Sequence, residues 1–318
     1  MRTTDMPLTI RTRGLSAVES RIASGADASA TITRAEMREA EAHTRGLLGL
    51  RSPRGEWWTA PDANMKLALA ASGADPTYAA GITLLPAHGL RDVIATLDTA
   101  RQAAVVDALH RAGVPNVGTV CTRSTAQCRA TCVLTSGRGA MPGAIMGRAA
   151  RTLMWLLHPA EAWAMDHAAA TAHDRRYGPT ARRRWCIADD IRWMLIAPEQ
   201  VRTMFAGRQY QYTKHAATQL PEQAGHVIVR SATGERGRWT IDSIREATQA
   251  GQRVAVVIDT PRGVDTPHTW AGVPAIDGDA TDDRTLQPAG TVCLLRAKGA
   301  ARGMVGRVTG SFVFPTHP

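Results

Sequence analysis

Apolar residues in the C-terminal half of the chain fall in short continuous runs that alternate with helical patterns. The runs predict strands at residues 185–188, 209–213, 226–230, 253–258 and 291–296. Helical patterns lie between them at residues 198–206 and 241–250. Continuous apolar strands alternating with helices are typical of a parallel sheet covered on both faces. The pattern therefore predicts an α/β protein with a TIM-barrel-like, possibly incomplete, parallel barrel.

Helical periodicity dominates the preceding part of the chain. Thr33, followed three residues later by Glu36, predicts the start of a charged and capped helix. Apolar residues recur with helical spacing over residues 90–112. Residues 144–176 predict one or two helices broken near His158-Pro159, because proline cannot continue a helix.

The first residues have a different character. Residues 1–32 are polar and small, without sustained periodicity, and this predicts an extended or partly ordered lead-in. We therefore divide the chain into an N-terminal extension with a charged helix, residues 1–55, and an α/β domain at residues 56–318.

Three of the five cysteines lie close together, at Cys121, Cys128 and Cys132, in what we call the cysteine loop (residues 121–132). A cluster this local binds metal more often than it forms disulfides. Its gaps of six and three residues do not match the paired C-x2-4-C spacing of zinc sites, and no second pair follows. The polar residues between the cysteines favour a site over three ordinary buried thiols, which remain the alternative.

Three thiolates are also able to hold a [4Fe–4S] cluster, leaving one iron without a protein thiolate and open to a substrate or cofactor. Radical S-adenosylmethionine enzymes use a three-cysteine loop in this way, although their C-x3-C-x2-C spacing differs from that of this chain. The cysteine loop therefore suggests an iron–sulfur cluster, with S-adenosylmethionine as a possible cofactor and zinc as the alternative metal. Cys186 or Cys293 is then available as a fourth ligand.

Polar residues follow the predicted strands where each strand ends, at Asp189-Asp190, Thr213-Lys214, Ser231 and Asp259. Parallel sheets and barrels place their active sites at this edge. Asp190 and Lys214 are therefore candidate catalytic residues. The acidic stretch at residues 277–283 is predicted to be a turn whose carboxylates line the site.

Four further residues are candidates for binding a cofactor. Arg192 and Tyr212 lie next to the strand-end residues, and Asn64 and Lys66 follow a proline turn near Trp57-Trp58. Asparagine and lysine near a turn are able to contact phosphate or carboxylate, although their residue types alone favour an ordinary structural role.

The net charge of the chain indicates a class of substrate. The chain has 318 residues, with 38 Lys and Arg against 28 Asp and Glu, for a net charge of +10. The arginines at 175–176 and 182–184 are either solvated surface or an edge that contacts phosphate. These features suggest nucleic acid or a nucleotide as partner.

Membrane and secretion signals are not found. Since no apolar run approaches eighteen residues and Met1–Gly14 lacks a following apolar segment, we expect a soluble protein in the cytoplasm of a bacterial host cell, with no membrane partner. The oligomeric state stays open.

Several stretches together resemble the gene product 88-like family of actinobacteriophage proteins. The resemblance spans roughly residues 60–305. It rests on the stretches 64–66, 121–132, 188–193, 212–214, 254–259, 276–284 and 297–302. The resemblance implies a phage or prophage origin and the three cysteines as the site; Val133 stands where related proteins often have tyrosine.

Two hypotheses follow. The first is an iron–sulfur, radical-S-adenosylmethionine-like enzyme that acts on nucleic acid or a nucleotide, with Asp190, Arg192, Tyr212 and Lys214 facing the open iron. The second is a zinc-containing, non-catalytic protein that binds nucleic acid. A metal-free hydrolase is disfavoured, because the chain has no G-x-S-x-G, G-x4-G-K-S/T or H-E-x-x-H motif.

Overall fold

The computed structural model describes residues 14–51, 57–59, 71–72, 75–86, 89–116, 119–135, 137–233, 235, 239–304 and 312–318. The helices that matter below are α1 (Ala17–Ala23), α2 (Arg34–Leu47), α3 (Gly89–Ala95), α4 (Thr99–Arg111), α5 (Ala126–Ala130), α6 (Pro142–Leu157), α7 (Pro159–Tyr177), α8 (Trp193–Ile196), α9 (Glu199–Thr203) and α10 (Ile241–Gln249). No helix in these ranges combines the length and the apolar character needed to cross a membrane.

The strands of the described part form one eight-stranded sheet, in the spatial order β1-β2-β3-β4-β5-β8-β7-β6. They are β1 (Tyr78–Ala80), β2 (Ala181–Trp185), β3 (Gln209–Thr213), β4 (His226–Ser231), β5 (Arg253–Ile258), β6 (Thr269–Trp270), β7 (Val273–Asp277) and β8 (Val292–Arg296). All neighbouring pairs are parallel except β6 with β7. The sheet curls into a half-barrel. The predicted α/β class with a mostly parallel sheet is therefore confirmed.

Strand β5 shows how the sheet separates a core from a cavity. Val254 and Val256 belong to a buried cluster that includes Ile244 of α10. Ala255 and Val257, which alternate with them, line a cavity on the opposite face. Because successive side chains of a strand point to opposite faces, one short apolar run supplies both surfaces.

A second core lies between the helices and the first strands. Its centre is aromatic, with Trp155 of α6 and Trp163 of α7 almost fully buried and packed edge to face at 4.6 Å between ring centroids. Trp193 of α8 lies against both rings. This aromatic cluster belongs to a buried core that also includes residues of β1 and β2. It therefore holds α6, α7 and α8 beside these two strands.

Local sequence signals account well for many element ends. Thr33 and Glu36 form the predicted capping box of α2, each accepting a hydrogen bond from the other's backbone N–H. The break at His158-Pro159 separates α6 from α7, as predicted. The predicted strands at residues 209–213 and 253–258 are confirmed with the same bounds.

The prediction of an extended lead-in was wrong for the residues from Ala17 onward. Ser16 and Glu19 form a capping box at the start of α1, and Ile22 is completely buried in the helical core. Glu19 also binds the guanidinium of Arg192 at 2.8 Å. The segment is helical because a distant arginine and core contacts stabilise it, and neither is visible in the local pattern of residues 1–32.

The predicted role of the second arginine run was also wrong. Strand β2 begins at Ala181 and contains these arginines, whereas the prediction started the strand at residue 185. Each of them forms an ion pair with an aspartate: Arg182 with Asp283, Arg183 with Asp166 and Arg184 with Asp282. Their charges are thus neutralised within the protein, and they do not form a solvated surface or a free phosphate-binding edge.

Gly81, directly after β1, lies against the backbone of β2. A methyl group at this position would overlap the backbone oxygen of Arg184, a rigid atom of the strand. We expect Gly81→Ala to lower the free energy of unfolding by about 1–3 kcal/mol, since overpacking forces backbone shifts. Chemical denaturation of both proteins measures this difference.

Gly46→Ala is the matched control for this substitution. Gly46 lies in α2 with no atom within 4 Å of the added methyl group, so alanine is expected to leave stability unchanged or to increase it slightly. Equal denaturation midpoints for Gly81→Ala and the wild type would contradict the close approach.

Candidate functional site

A cavity of about 550 Å³ lies at the carboxyl ends of the parallel strands. Its walls come from several strand ends and the loops after them, including Arg184, Tyr212, Lys214, Ser231, Val257, Arg296 and Lys298. Of the predicted strand-end residues, Lys214 and Ser231 line the cavity, and Tyr212, a candidate for cofactor binding, lies beside them. Asp259 instead accepts hydrogen bonds from Thr316, at 2.7 Å from the backbone N–H, and does not line the cavity.

The cysteine loop borders this cavity. Val133 and Leu134, which directly follow Cys132, form part of its lining. Within the loop, Cys128 lies in the short helix α5, whose N-cap Thr125 accepts a hydrogen bond from the Cys128 N–H at 3.0 Å. The third cysteine therefore directly precedes two residues of the cavity wall, and the second lies on a capped turn of the same loop.

Glu235 fixes the start of α5 from the loop after β4. Its carboxylate accepts hydrogen bonds from the Thr125 hydroxyl and from the Gln127 N–H, the latter at 3.1 Å. A carboxylate at a helix N-terminus satisfies N–H groups that have no partner within the helix. Glu235 thus connects the cysteine loop to the strand ends.

The three loop thiols are half-buried and lie within electrostatic reach of one another. Burial raises the pKa of Cys121, and the charges of Asp189 and Asp190 and the other two thiols raise it further. Burial also raises the pKa of Cys132. As a protonated thiol, Cys121 donates a hydrogen bond to the backbone oxygen of Ala188 at 3.1 Å.

The thiols do not converge on one atom-sized centre. In the described ranges, no group of three His, Cys, Asp or Glu side chains is placed to hold a metal ion. A single zinc ion needs its thiolates about 2.3 Å away, all around one point. An iron–sulfur cluster instead binds each thiolate through a different iron.

Asp190 is a positioning residue between the loop and β3. One carboxylate oxygen accepts from the Thr213 hydroxyl at 2.7 Å and the other from the Lys214 N–H at 3.1 Å. Its own N–H donates to the backbone oxygen of Val120 at 3.1 Å. Both carboxylate oxygens are therefore used in holding Lys214 at the strand end, beside the residue that precedes Cys121.

Lys214 connects the cavity to the thiols. Its half-buried side chain lines the cavity, and its ammonium group makes no hydrogen bond or ion pair with any described residue. Its positive charge, together with that of Arg148, favours the thiolate form of Cys132. Other basic groups of the cavity are paired: Arg184 with Asp282, Arg296 with Asp277 and Lys298 with Asp279.

The other predicted site residues do not all lie at the cavity. Tyr212 lines the cavity beneath the guanidinium of Arg184, 5.3 Å from its ring centroid. Arg192 is buried against Glu19 and the backbone oxygen of Gly14, and it is not part of the cavity lining. Asn64 and Lys66 lie outside the described residues.

The acidic turn behaves as predicted. Asp279 and Asp282 line the cavity, where each pairs with a basic residue of the same wall. These carboxylates neutralise Lys298 and Arg184. The wall made by β2, β8 and this turn is consequently close to neutral, and the unpaired charge lies at Lys214.

Asp189 is a functional candidate that the sequence analysis mentioned only as a neighbour of Asp190. One of its carboxylate oxygens accepts from the Trp193 indole at 2.8 Å, whereas the other is buried without a partner among the described residues. Burial raises the pKa of Asp189 to about 7. The signal for it was Trp193 four residues later, whose indole N–H needs an acceptor when buried.

A family model matches most of the chain. The model of the family described as Gene product 88 matches residues 87–309, which include the cysteine loop and every strand from β2 to β8. No curated protein matches the chain, and no solved structure does.

Proposed function

The chain belongs to the gene product 88 family, and we propose that it is a phage-type iron–sulfur enzyme acting on a nucleotide-sized anionic substrate. One observation carries the proposal: the loop with the three thiols continues directly into the wall of a strand-end cavity, whose Lys214 makes no ion pair with a described residue and lies within electrostatic reach of Cys132. Structural metal sites are closed, whereas this group of thiols borders a space large enough for a substrate.

The half-barrel supports this interpretation. Strands β1 to β5 lie side by side in chain order and are all parallel, as in a TIM-like barrel that is incomplete. In such barrels the reacting groups lie at the carboxyl ends of the strands. The cavity and the cysteine loop occupy that end here.

Cys121, Cys128 and Cys132 would hold the [4Fe–4S] cluster. When bound, a cluster with one iron open to a small molecule supplies one-electron chemistry of the kind that cleaves S-adenosylmethionine. Burial raises the pKa of Cys132 overall, and the charges of Arg148 and Lys214 oppose this and so assist formation of the thiolate that binding requires. Asp189, with a pKa of about 7, is able to take up or release a proton at its unpaired oxygen near neutral pH.

The cavity also limits the substrate class. A volume of about 550 Å³ lies in the range of small-molecule and cofactor sites. The arginines of β2, which were candidates for phosphate contact, are already paired with aspartates. A nucleotide or similar anion at Lys214 therefore suits this geometry better than a nucleic acid duplex.

Reconstitution tests the enzyme. The full chain would be loaded anaerobically with iron and sulfide, reduced and incubated with S-adenosylmethionine. We expect cleavage of S-adenosylmethionine, detected by chromatography, that depends on the cluster. Full cluster loading without any cleavage would contradict the radical-enzyme part of the proposal.

Lys214→Gln is expected to reduce kcat/KM for that cleavage about 10- to 100-fold, since a charged hydrogen bond contributes about 1.5–3 kcal/mol. Lys298→Gln is the matched control, because Lys298 lines the same cavity but is already paired with Asp279. Equal effects of the two substitutions would argue against a special role for Lys214. Kinetic assays of both reconstituted variants provide the comparison.

A zinc protein that binds nucleic acid is the second candidate. It is suggested by Cys186, a buried fourth thiol within electrostatic reach of Cys121. Burial and the charges of Asp189 and Asp190 raise the pKa of Cys186, so a zinc ion would have to displace its proton. Four thiolates would make a closed zinc site. On this candidate, Cys186→Ser removes bound zinc, whereas the iron–sulfur proposal predicts that the cluster is retained.

A further inference from the structure

Two histidines from distant parts of the chain meet on the side of the helical layer. The Nδ1 atom of His43 on α2 lies 2.8 Å from the Nε2 atom of His158, the residue between α6 and α7. The rings are nearly perpendicular, with centroids 5.1 Å apart. The contact is a hydrogen bond between the rings, and the tautomers decide which ring donates. Without the shared proton, the two nitrogens would supply one half of a metal-binding set.

Two carboxylates flank the pair. Glu39 lies one turn before His43 on α2, a spacing that places both on the same helix face. Glu161 lies in the first turn of α7, three residues after His158. Neither carboxylate makes a hydrogen bond or ion pair with a described residue, although the negative charges of both act on His158.

The nearest cation is already in use. Arg21 of α1 donates hydrogen bonds to the backbone oxygens of Leu156 and Leu157, at 2.8 and 2.9 Å. Glu161 lies within electrostatic reach of this guanidinium but makes no ion pair with it. Burial lowers the pKa of His158, so its ring is neutral near pH 7 and has a lone pair to offer.

We propose that His43 and His158, with Glu39 and Glu161, form a binding site for a divalent transition-metal ion such as zinc. Zinc–nitrogen bonds of 2.0–2.1 Å in tetrahedral geometry separate two ligand nitrogens by roughly 3.3 Å. The observed 2.8 Å requires only a small opening of the pair. Because no three such side chains converge in the described ranges, the carboxylates would have to move towards the histidine pair for the ion to bind.

The consequence is a connection between separate parts of the fold. A bound ion would fix α2 to the junction of α6 and α7, and so stabilise the helical layer by mass action. This site is independent of the cysteine loop and of the proposed enzyme activity.

Cobalt titration of the full chain tests the proposal, because cobalt reports its ligands through its spectrum. We expect binding with weak visible bands and without the strong thiolate charge-transfer absorption that the cysteine loop would produce. His43→Ala and Glu39→Gln change exposed residues of α2 and should leave the fold intact. His43→Ala is expected to weaken this binding at least 10-fold, since even loss of an outer contact has such effects.

His110→Ala is the matched control, an exposed histidine at the end of α4 that contacts no other histidine of the described residues. It should bind cobalt as the wild type does. Binding through thiolates alone, or equal affinity in His43→Ala and the wild type, would overturn the proposal whatever the cysteine loop holds.

Discussion

Glu19→Gln is expected to destabilise the protein by roughly 3–5 kcal/mol, because it leaves the buried guanidinium of Arg192 without its counter-charge. Arg192 donates to both carboxylate oxygens of Glu19, at 2.9 and 2.8 Å, and its backbone N–H adds a bond of 3.0 Å. Both side chains are more than nine-tenths buried. Denaturant unfolding of the variant measures the loss.

The same pair predicts how stability depends on pH. Burial by itself would raise the pKa of Glu19, but hydrogen bonds from Arg192 and backbone amides outweigh it and lower the pKa from 4.5 to about 2. A carboxyl group with a depressed pKa in the folded state contributes stability above its unfolded pKa. We expect a contribution of about 3 kcal/mol at neutral pH that is lost between about pH 4.5 and pH 2.

Glu36→Gln is the control for both measurements. Glu36 occupies the same third position of a capping box, on α2, but is exposed and pairs only with Thr33. Its replacement should change stability little. If Glu19→Gln and Glu36→Gln unfolded at the same denaturant concentration, the buried pair would have no special importance.

The second large effect concerns the cysteine loop. Cys121→Ser, Cys128→Ser and Cys132→Ser are each expected to reduce bound iron from about four per chain to near zero, because each removes one of three protein ligands. Loss of activity should follow in all three. Iron and sulfide analysis after anaerobic reconstitution gives the measurement.

Cys293→Ser is the matched control for the loop substitutions. Cys293 is fully buried in β8, where its sulfur accepts a hydrogen bond from Arg284 at 2.9 Å. It should retain the iron content of the wild type. Equal iron in the wild type and in all three loop variants would show that the loop is not the ligand set.

Local patterns were sufficient to predict much of the sheet. The strand at residues 253–258 is an apolar run, the strand at residues 209–213 alternates glutamine with tyrosine, and both form as expected. The convergence of Tyr212, Lys214 and Ser231 also followed from the sequence, because parallel strands end at one edge. These features depend on residues close together in the chain.

Features that depend on distant partners could not be predicted. Strand β2 contains three arginines because aspartates as far as Asp283 neutralise them, and an arginine run without visible partners resembles a solvated surface. Arg192 was a candidate cofactor ligand, yet its partner Glu19 lies in a segment with no visible periodicity. The unpaired oxygen of Asp189 likewise results from burial, which spacing does not reveal.

The central claim is that the cysteine loop holds an iron–sulfur cluster beside the strand-end cavity. Its most direct test is iron, sulfide and zinc analysis of the wild-type chain purified anaerobically, with an optical spectrum. The account predicts about four irons with matching sulfide per chain and broad visible absorbance. One zinc without iron would contradict it in favour of the zinc-binding protein, and a colourless chain without metal would contradict both.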